Sequence, residues 1–587
     1  MVTSKTYPET GSSLVSPLPP SSPTEIDQAL ANLSTHKDTW AMLDIQGRIA
    51  LLDQVKTDLP GIETRWIQAN MAARDANMET PSEGLEWTNL SLVYKQIHAL
   101  HRSLQDIARL GTPRLPGKIS TRPNGQVVVQ VHPYDWKEQI SLAGMHAEVW
   151  MDPSVSMKGE GIPQAEFYRR TEKKGLLCLV MGAGNMGAWV TIDILTKLFV
   201  EGQVVALKMN PVNEYMGPII ADGFRALIKA GFLQVLYGGP QEGSYLCNHP
   251  MVDYVHMTGS DRTFDAIVFG PGEEGKRNKL ARQPVFTKPF TAELGNISPV
   301  IVVPGPWTEK EINNQSARIA SWLVLNSGCT CSTPRMIVQM KSWEHRDALN
   351  QGIRDFLANT KTRKAFYPRS FELYHQFIQA HPEALNSGEA KEEGHLPWTF
   401  IPKVDPNNTG DICFTREPFM SLFSETALEA ENIVEFIRKA VEFANVTLWG
   451  TLCATIVVHP ASLKDPTVAA AVDQAIADLR YGAIVVNQTG GLGSYMPLTP
   501  WGGYPGSSIF DVQSGIGKVN NPLMFDRAQK SVCYADFTPM ADPVNANIPN
   551  GFLFSRQEVR YQSNPTVGNL VKLLWIAMTL KEARPSS

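Results

Sequence analysis

The 587-residue chain has no apolar run long enough to cross a membrane and no long basic run. A spanning helix takes about 20 consecutive, mainly apolar residues. The stretch that comes nearest, Val567–Leu580, has fourteen and is interrupted by Asn569, Lys572 and Thr579. It is expected to be a C-terminal helix packed on the body or on a partner subunit, with peripheral contact to a membrane surface as the alternative. Lys and Arg number 53 against 58 Asp and Glu, a formal net charge of −5, so nucleic acid is excluded as an electrostatic partner. Cysteine is scarce: seven residues at scattered positions do not make a disulfide framework and point to a reducing, cytoplasmic compartment. Met1–Pro23 is rich in Ser, Pro and Thr, lacks an apolar signal-peptide core and is expected to be a disordered lead.

What remains is a chain with 43% hydrophobic and 19% charged residues, ordinary for a globular protein and too long for one simple core. Residues 24–110 place apolar side chains at helical spacing, in Ile26–Leu33, Ile49–Leu59 and Leu92–Leu110. Gln126–His132 reads as a strand. From Gly175 strands and helices alternate: strands at Leu176–Met181, Gln203–Lys208, Leu233–Tyr237 and Val252–Met257, helices at Ala188–Phe199, Gly217–Ala230 and Arg262–Val268. This pattern predicts a parallel sheet covered on both faces, with ligands at the carboxyl ends of its strands. Glu273–Lys279 is charged and contains glycine, and is expected to be an exposed loop. A second α/β region runs from Thr291 to about Val486, and the tail beyond Asn521 gives no clear pattern.

Three segments carry candidate chemistry. Gly182-Ala-Gly-Asn-Met-Gly187 spells the dinucleotide fingerprint between a strand and a helix. The fingerprint also calls for an acidic residue near the end of the next strand, and that strand ends in Lys208. Asn326-Ser-Gly-Cys-Thr-Cys-Ser-Thr-Pro-Arg335 is a small-residue loop holding two of the seven cysteines, Cys329 and Cys331. A thiol in such a loop can serve as a nucleophile. A metal or redox Cys-x-Cys pair and a pair of inert buried thiols are the competing readings. Pro497–Ser508 is a glycine- and proline-rich loop.

Taken with Val204–Pro211, Met257–Ser260, Glu293–Pro299, Glu417–Phe419 and Pro500–Gly503, these segments resemble the aldehyde dehydrogenase superfamily in order and approximate spacing, from about Gly175 to Ser508. The resemblance implies an α/β fold of two Rossmann-like parallel-sheet domains with a small β oligomerisation arm. The expected division is a lead (1–23), N-terminal helices and a dinucleotide-binding domain (24–290, with the arm near 126–132), a catalytic domain (291–490), and an active-site loop with C-terminal extension (491–587). It implies NAD- or NADP-dependent oxidation of an aldehyde to a carboxylic acid through a cysteine thiohemiacetal and thioester. Cys331 is the implied nucleophile, Glu293 the base for the hydrolytic water, and Asn185 the oxyanion donor in place of a phosphate loop. Lys208, Gly259, Ser260, Glu417 and Phe419 are the implied cofactor contacts. No metal is implied. Cys329 stands where the family has Gln or Glu, leaving a rival thiol, and Pro211 stands where a glutamate often excludes NADP. Met186, Trp189 and Leu492–Trp501, including Tyr495 and Met496, are expected to line a pocket for a hydrophobic aldehyde. A homodimer or homotetramer is expected. A coenzyme A-linked acyl reductase and a non-catalytic scaffold are the alternatives.

Overall fold

The computed structural model describes residues 17–157, 161–388, 390–539 and 548–580. Two sheets organise these residues. In the six-stranded sheet the spatial order is Gly515–Ile516, Phe290–Leu294, Tyr254–Gly259, Leu177–Met181, Val204–Lys208 and Leu233–Leu236. Every neighbouring pair is parallel except the first. Val204–Lys208 is buried at all five positions, as expected of an interior strand covered by helices on both faces. The eleven-stranded sheet has a parallel centre, in which Ala528–Ala535, Ala483–Val486, Cys453–Val457, Ser298–Val302, Pro334–Met340, Leu422–Leu428 and Trp398–Val404 follow one another.

The strand Val127–His132 lies within the chain's own larger sheet. It pairs with Met145–Met151, which pairs in turn with Ala528–Ala535. The tail thus contributes the strand that joins the expected arm to the catalytic sheet. The boundary expected at 290/291 falls inside the strand Phe290–Leu294, which carries Glu293 and belongs to the six-stranded sheet.

Other expectations change. Glu273–Lys279 is not a loop: Gly272–Leu280 is a helix, with Glu273 and Glu274 in its first turn, Arg277 and Lys279 in its last, and a Lys276–Glu273 pair. Charges of these signs at these ends complement the helix dipole, which outweighs the two glycines. The lead is tied down from its described end: Leu18 N–H donates to the Glu214 carboxylate at 3.0 Å and Ser21 N–H to Tyr237 O at 3.2 Å. Residues 1–16 of the expected lead lie outside the described residues. A Ser22/Glu25 capping box with Pro23 at the first position then starts the helix Pro23–Met42.

After the strand Ala528–Ala535 the tail forms a helix with no expected counterpart, Gly551–Ser563, and then the expected C-terminal helix, Val567–Thr579. The first packs along the 30-residue helix Pro81–Leu110, where Gly84 lets the Phe552 backbone approach. Lys95 and Glu558, each 6% exposed, pair across this junction at 2.7 Å, and Glu558 also accepts from the Tyr495 hydroxyl at 2.7 Å. The second helix buries Leu570, Leu573 and Ile576 and exposes Val567, Val571, Trp575 and Met578. Among the described residues no helix is long and apolar enough to cross a membrane.

The Lys95–Glu558 pair makes the docking of the tail testable. Lys95→Met leaves a buried carboxylate without its cation and should cost about 3 kcal/mol or more in urea unfolding. Adding Glu558→Gln should return most of that loss. An unchanged midpoint for Lys95→Met would mean that the helix does not dock there.

Candidate active site

The cysteine loop is set by its backbone. Asn326, Ser327 and Gly328 follow one another with φ of 49°, 58° and 76°. A Cβ at Gly328 would collide with Met420 O, so glycine is required at that step. Arg335, at the far end of the loop, is buried. Its guanidinium donates to Met420 O at 2.7 Å, to Leu422 O at 3.1 Å and to Gly328 O. One side chain thereby fixes the loop to the strand Leu422–Leu428. The sequence reading assigned Arg335 no role, and its only signal was a cation closing a polar loop.

This loop makes the two thiols unequal. Cys329 is 1% exposed, and its Sγ lies 3.4 Å from Phe419 O, to which it donates. Burial pushes its pKa up to about 12. Cys331 is partly exposed and lines a cleft of about 500 Å³. Burial, and next the nearby Glu293 carboxylate, hold its thiol well above the ordinary range, so at rest it keeps its proton.

Glu293 lines the same cleft from the strand Phe290–Leu294. Its Oε1 accepts from Trp501 Nε1 at 2.9 Å, and the Cys331 thiol also acts on it. Burial raises it to about 7, against the lowering influence of Trp501 and Cys331. Trp501 stacks on Trp189 with centroids 6.1 Å apart, so the Glu293 carboxylate is held by an indole that is itself packed. Asn185 is buried in the cleft wall. One of its N–H groups donates to Cys329 O at 3.1 Å, while its backbone carbonyl accepts from Arg74 at 2.7 Å and from the Asn326 amide at 3.2 Å. The turn Gly182–Gly187 is thus joined to the cysteine loop.

Gly259, Ser260, Glu417 and Phe419 line this cleft as well. Ser260 caps the helix Asp261–Phe269, its Oγ accepting from Thr263 N–H. Gly295 lies against the Glu417 carboxylate and leaves no room there for a Cβ. Burial pushes Glu417 up to about 8, and its Oε1 is buried with no hydrogen-bond partner among the described residues. A buried acceptor facing a cleft fits a ligand that brings hydroxyl donors. Phe419, at φ 45°, meets Tyr367 edge-on at 4.8 Å.

Lys208 does not line this cleft. It ends the adjacent strand, buried, with Glu242 and Glu214 acting on it. Tyr495 and Met496 do not reach the site either. They pack into the separate apolar cluster around Val129, Val149 and Leu523, whereas Trp189 and Trp501 share the cluster that Cys331 packs against. Among the described residues one group, His381, Asp411 and Cys413, has metal-ligand atoms within 4.8 Å of one another. Both His381 nitrogens are already bonded, to Glu383 and to Asp411.

Residues 117–363 match the Aldehyde dehydrogenase family. Over 411 residues the chain is 28% identical to 4-trimethylaminobutyraldehyde dehydrogenase of Rattus norvegicus, covering 66% of this chain and 74% of that protein. Against the Pongo abelii enzyme of the same name it is 28% identical over 247 residues, 40% of this chain and 45% of that one. With that protein and a Danio rerio relative, the chain spans under half of their length (45% and 46%). Among solved structures the fold is similar to aldehyde dehydrogenase C from Pseudomonas syringae complexed with NAD+ and octanal (TM-score 0.59, 15% identity, 88% and 90% of the two chains). It is also similar to the NADP-dependent glyceraldehyde-3-phosphate dehydrogenase from Bacillus halodurans complexed with NADP (TM-score 0.57, 16% identity, 88% and 92%).

The raised pKa of Glu293 carries a stability consequence. Its folded value of about 7 lies above the ordinary 4.5, so the buried carboxylate opposes folding increasingly from pH 4.5 upward, and fully above pH 7. Glu293→Gln removes that opposition and can still accept from Trp501. At pH 8 it should be more stable than the parent by up to about 3 kcal/mol, with the gain gone near pH 4.5. A loss of stability at pH 8 would contradict the burial argument.

Proposed function

We propose that this chain, which belongs to the aldehyde dehydrogenase superfamily, oxidises an aldehyde to a carboxylic acid with NAD or NADP as the hydride acceptor. The observation that carries this reading is one cleft holding a partly exposed thiol, a buried carboxylate near neutrality and an amide donor: Cys331, Glu293 and Asn185. The unpaired Glu417 Oε1 and the capped N-terminus behind Ser260 fit a dinucleotide, through ribose hydroxyls and phosphate respectively.

The order of events follows from the groups. Cys331 Sγ, its proton released to solvent, adds to the aldehyde carbon. The resulting alkoxide receives hydrogen bonds from the Cys331 backbone N–H and from the N–H of Asn185 that is not spent on Cys329 O. When bound, NAD or NADP supplies the oxidant that takes the hydride from this thiohemiacetal, leaving a thioester on Cys331. Glu293, as its carboxylate, then takes a proton from water; the hydroxide adds to the thioester carbonyl, and the carboxylic acid leaves as the Cys331 thiolate regains a proton from Glu293. A base at this position favours hydrolysis over transfer to coenzyme A. Trp189, backed by the buried Trp501, gives the cleft an aromatic wall and supports a hydrophobic aldehyde. A cytoplasmic location and an assembly of two or four copies remain part of the proposal, the former supported by seven free cysteines. The exposed outer face of Val567–Thr579 supports peripheral contact with a membrane surface.

An aldehyde panel followed by reduced-cofactor formation tests this reading. Activity should rise with pH through about 7, as Glu293 loses its proton. Cys331→Ala should lose activity by about 10³-fold or more, because covalent catalysis is gone. Cys329→Ser keeps a donor to Phe419 O and should retain most activity. Dependence on Cys329 rather than Cys331, or acid formation surviving in Glu293→Gln, would contradict the assignment.

A further inference from the structure

We propose that Arg262, Arg369 and Arg416 form a guanidinium rim that holds the pyrophosphate of the dinucleotide and so sets the affinity of this chain for its cofactor. The inference rests on the NAD or NADP reading above. All three residues line the cleft that holds Cys331 and Glu417. They come from separate segments: Arg262 from the first turn of Asp261–Phe269, Arg369 from the residue before Ser370–Ala380, and Arg416 from the residue after Ile412–Thr415.

The three charges are close enough to act on one another. Arg416 sits below the ordinary guanidinium range, by burial first and then through Arg262 and Arg369. Counter-charge at the rim is incomplete. Arg369 is paired with Glu372 at 2.8 and 2.9 Å, and that carboxylate also feels Arg416 and Arg262. Arg416 donates to the neutral amide of Gln376. Arg262 is exposed, with no ion pair among the described residues. Asp261 also lines the cleft, and its burial raises its pKa, which weakens it as a counter-charge. Three guanidinium groups facing one exposed and one buried carboxylate repel one another until an anion enters. A pyrophosphate brings the needed charge and matches the planar forks of arginine. The N-terminus of Asp261–Phe269 adds the positive end of its helix dipole on the same side.

Direct titration of the full-length protein with NADH and with NADPH, read by cofactor fluorescence, tests the proposal. Each single Arg→Gln variant should weaken binding several-fold, up to about tenfold, and the triple variant by about 100-fold or more, since a charge-assisted hydrogen bond is lost each time. NADH and NADPH should weaken alike, because both carry the pyrophosphate. The parent's affinity should fall with added salt more steeply than the triple variant's. Thermal melts of the variants should match the parent, because Arg262 and Arg369 are exposed and Arg416 is at the cleft mouth. Equal affinity in the triple variant and the parent overturns the rim. A loss confined to NADPH also overturns it, since the group held would then be the 2′-phosphate. A parent that binds neither cofactor overturns the dinucleotide reading itself, a result distinct from tight binding that ignores the arginines.

Discussion

Desolvation is the constraint on which the site depends. Glu293, Glu417 and Cys331 line one cleft and Cys329 is buried beside Cys331, and burial is the largest influence on the pKa of each. The effect on each is to favour the uncharged form. At rest the cleft therefore holds carboxyl groups that titrate near neutrality and a protonated Cys331 thiol. Charge develops there only when one of these groups gives up its proton. A low-dielectric site strengthens the donors aimed at that new charge. The same enclosure opposes folding, so the features that suit the site to chemistry are ones that lower stability.

Holding such a site in place falls to groups outside it. Arg335 binds three carbonyls around the cysteine loop, and three successive left-handed residues let the chain double back to expose Cys331 while burying Cys329. Arg74 and Asn326 hold the carbonyl of Asn185, so the turn that carries Asn185 is fixed to the loop that presents Cys331. Glu293 is fixed by its strand: Thr258 lies beside it on one side, and Gly515, from the far end of the chain, on the other. The tail is thus built into both sheets, through Gly515–Ile516 in one and Ala528–Ala535 in the other.

Much of this was legible in the sequence because it is written in local patterns. Buried β-branched runs such as Val204–Lys208 mark interior strands, and the spacing of Asn185, Glu293, Cys331 and Glu417 matches one family's order. What was not legible depends on long-range packing. Tyr495 and Met496 have the size and polarity of pocket residues, yet the tail helix Gly551–Ser563 supplies Glu558 as a partner for Tyr495 and turns that region into core. Arg262, Arg369 and Arg416 are far apart in sequence and read as ordinary surface charges until the fold gathers them at one rim. Glu273–Lys279 was misread because glycine and charge density outweighed the placement of its charges along a short helix. The strand at 127–132 shows a pattern but not a partner, and it took the fold to place it in the chain's own sheet.

The central claim is that Cys331 carries the acyl group and Glu293 releases it. Glu293→Gln protein, mixed with an aldehyde and oxidised cofactor, then quenched in acid and digested, would report this by mass spectrometry. The account predicts a mass increase equal to the acyl group on the peptide containing Cys331, removed by hydroxylamine as a thioester should be. An acyl group on Cys329, or no adduct while cofactor is reduced, would contradict it.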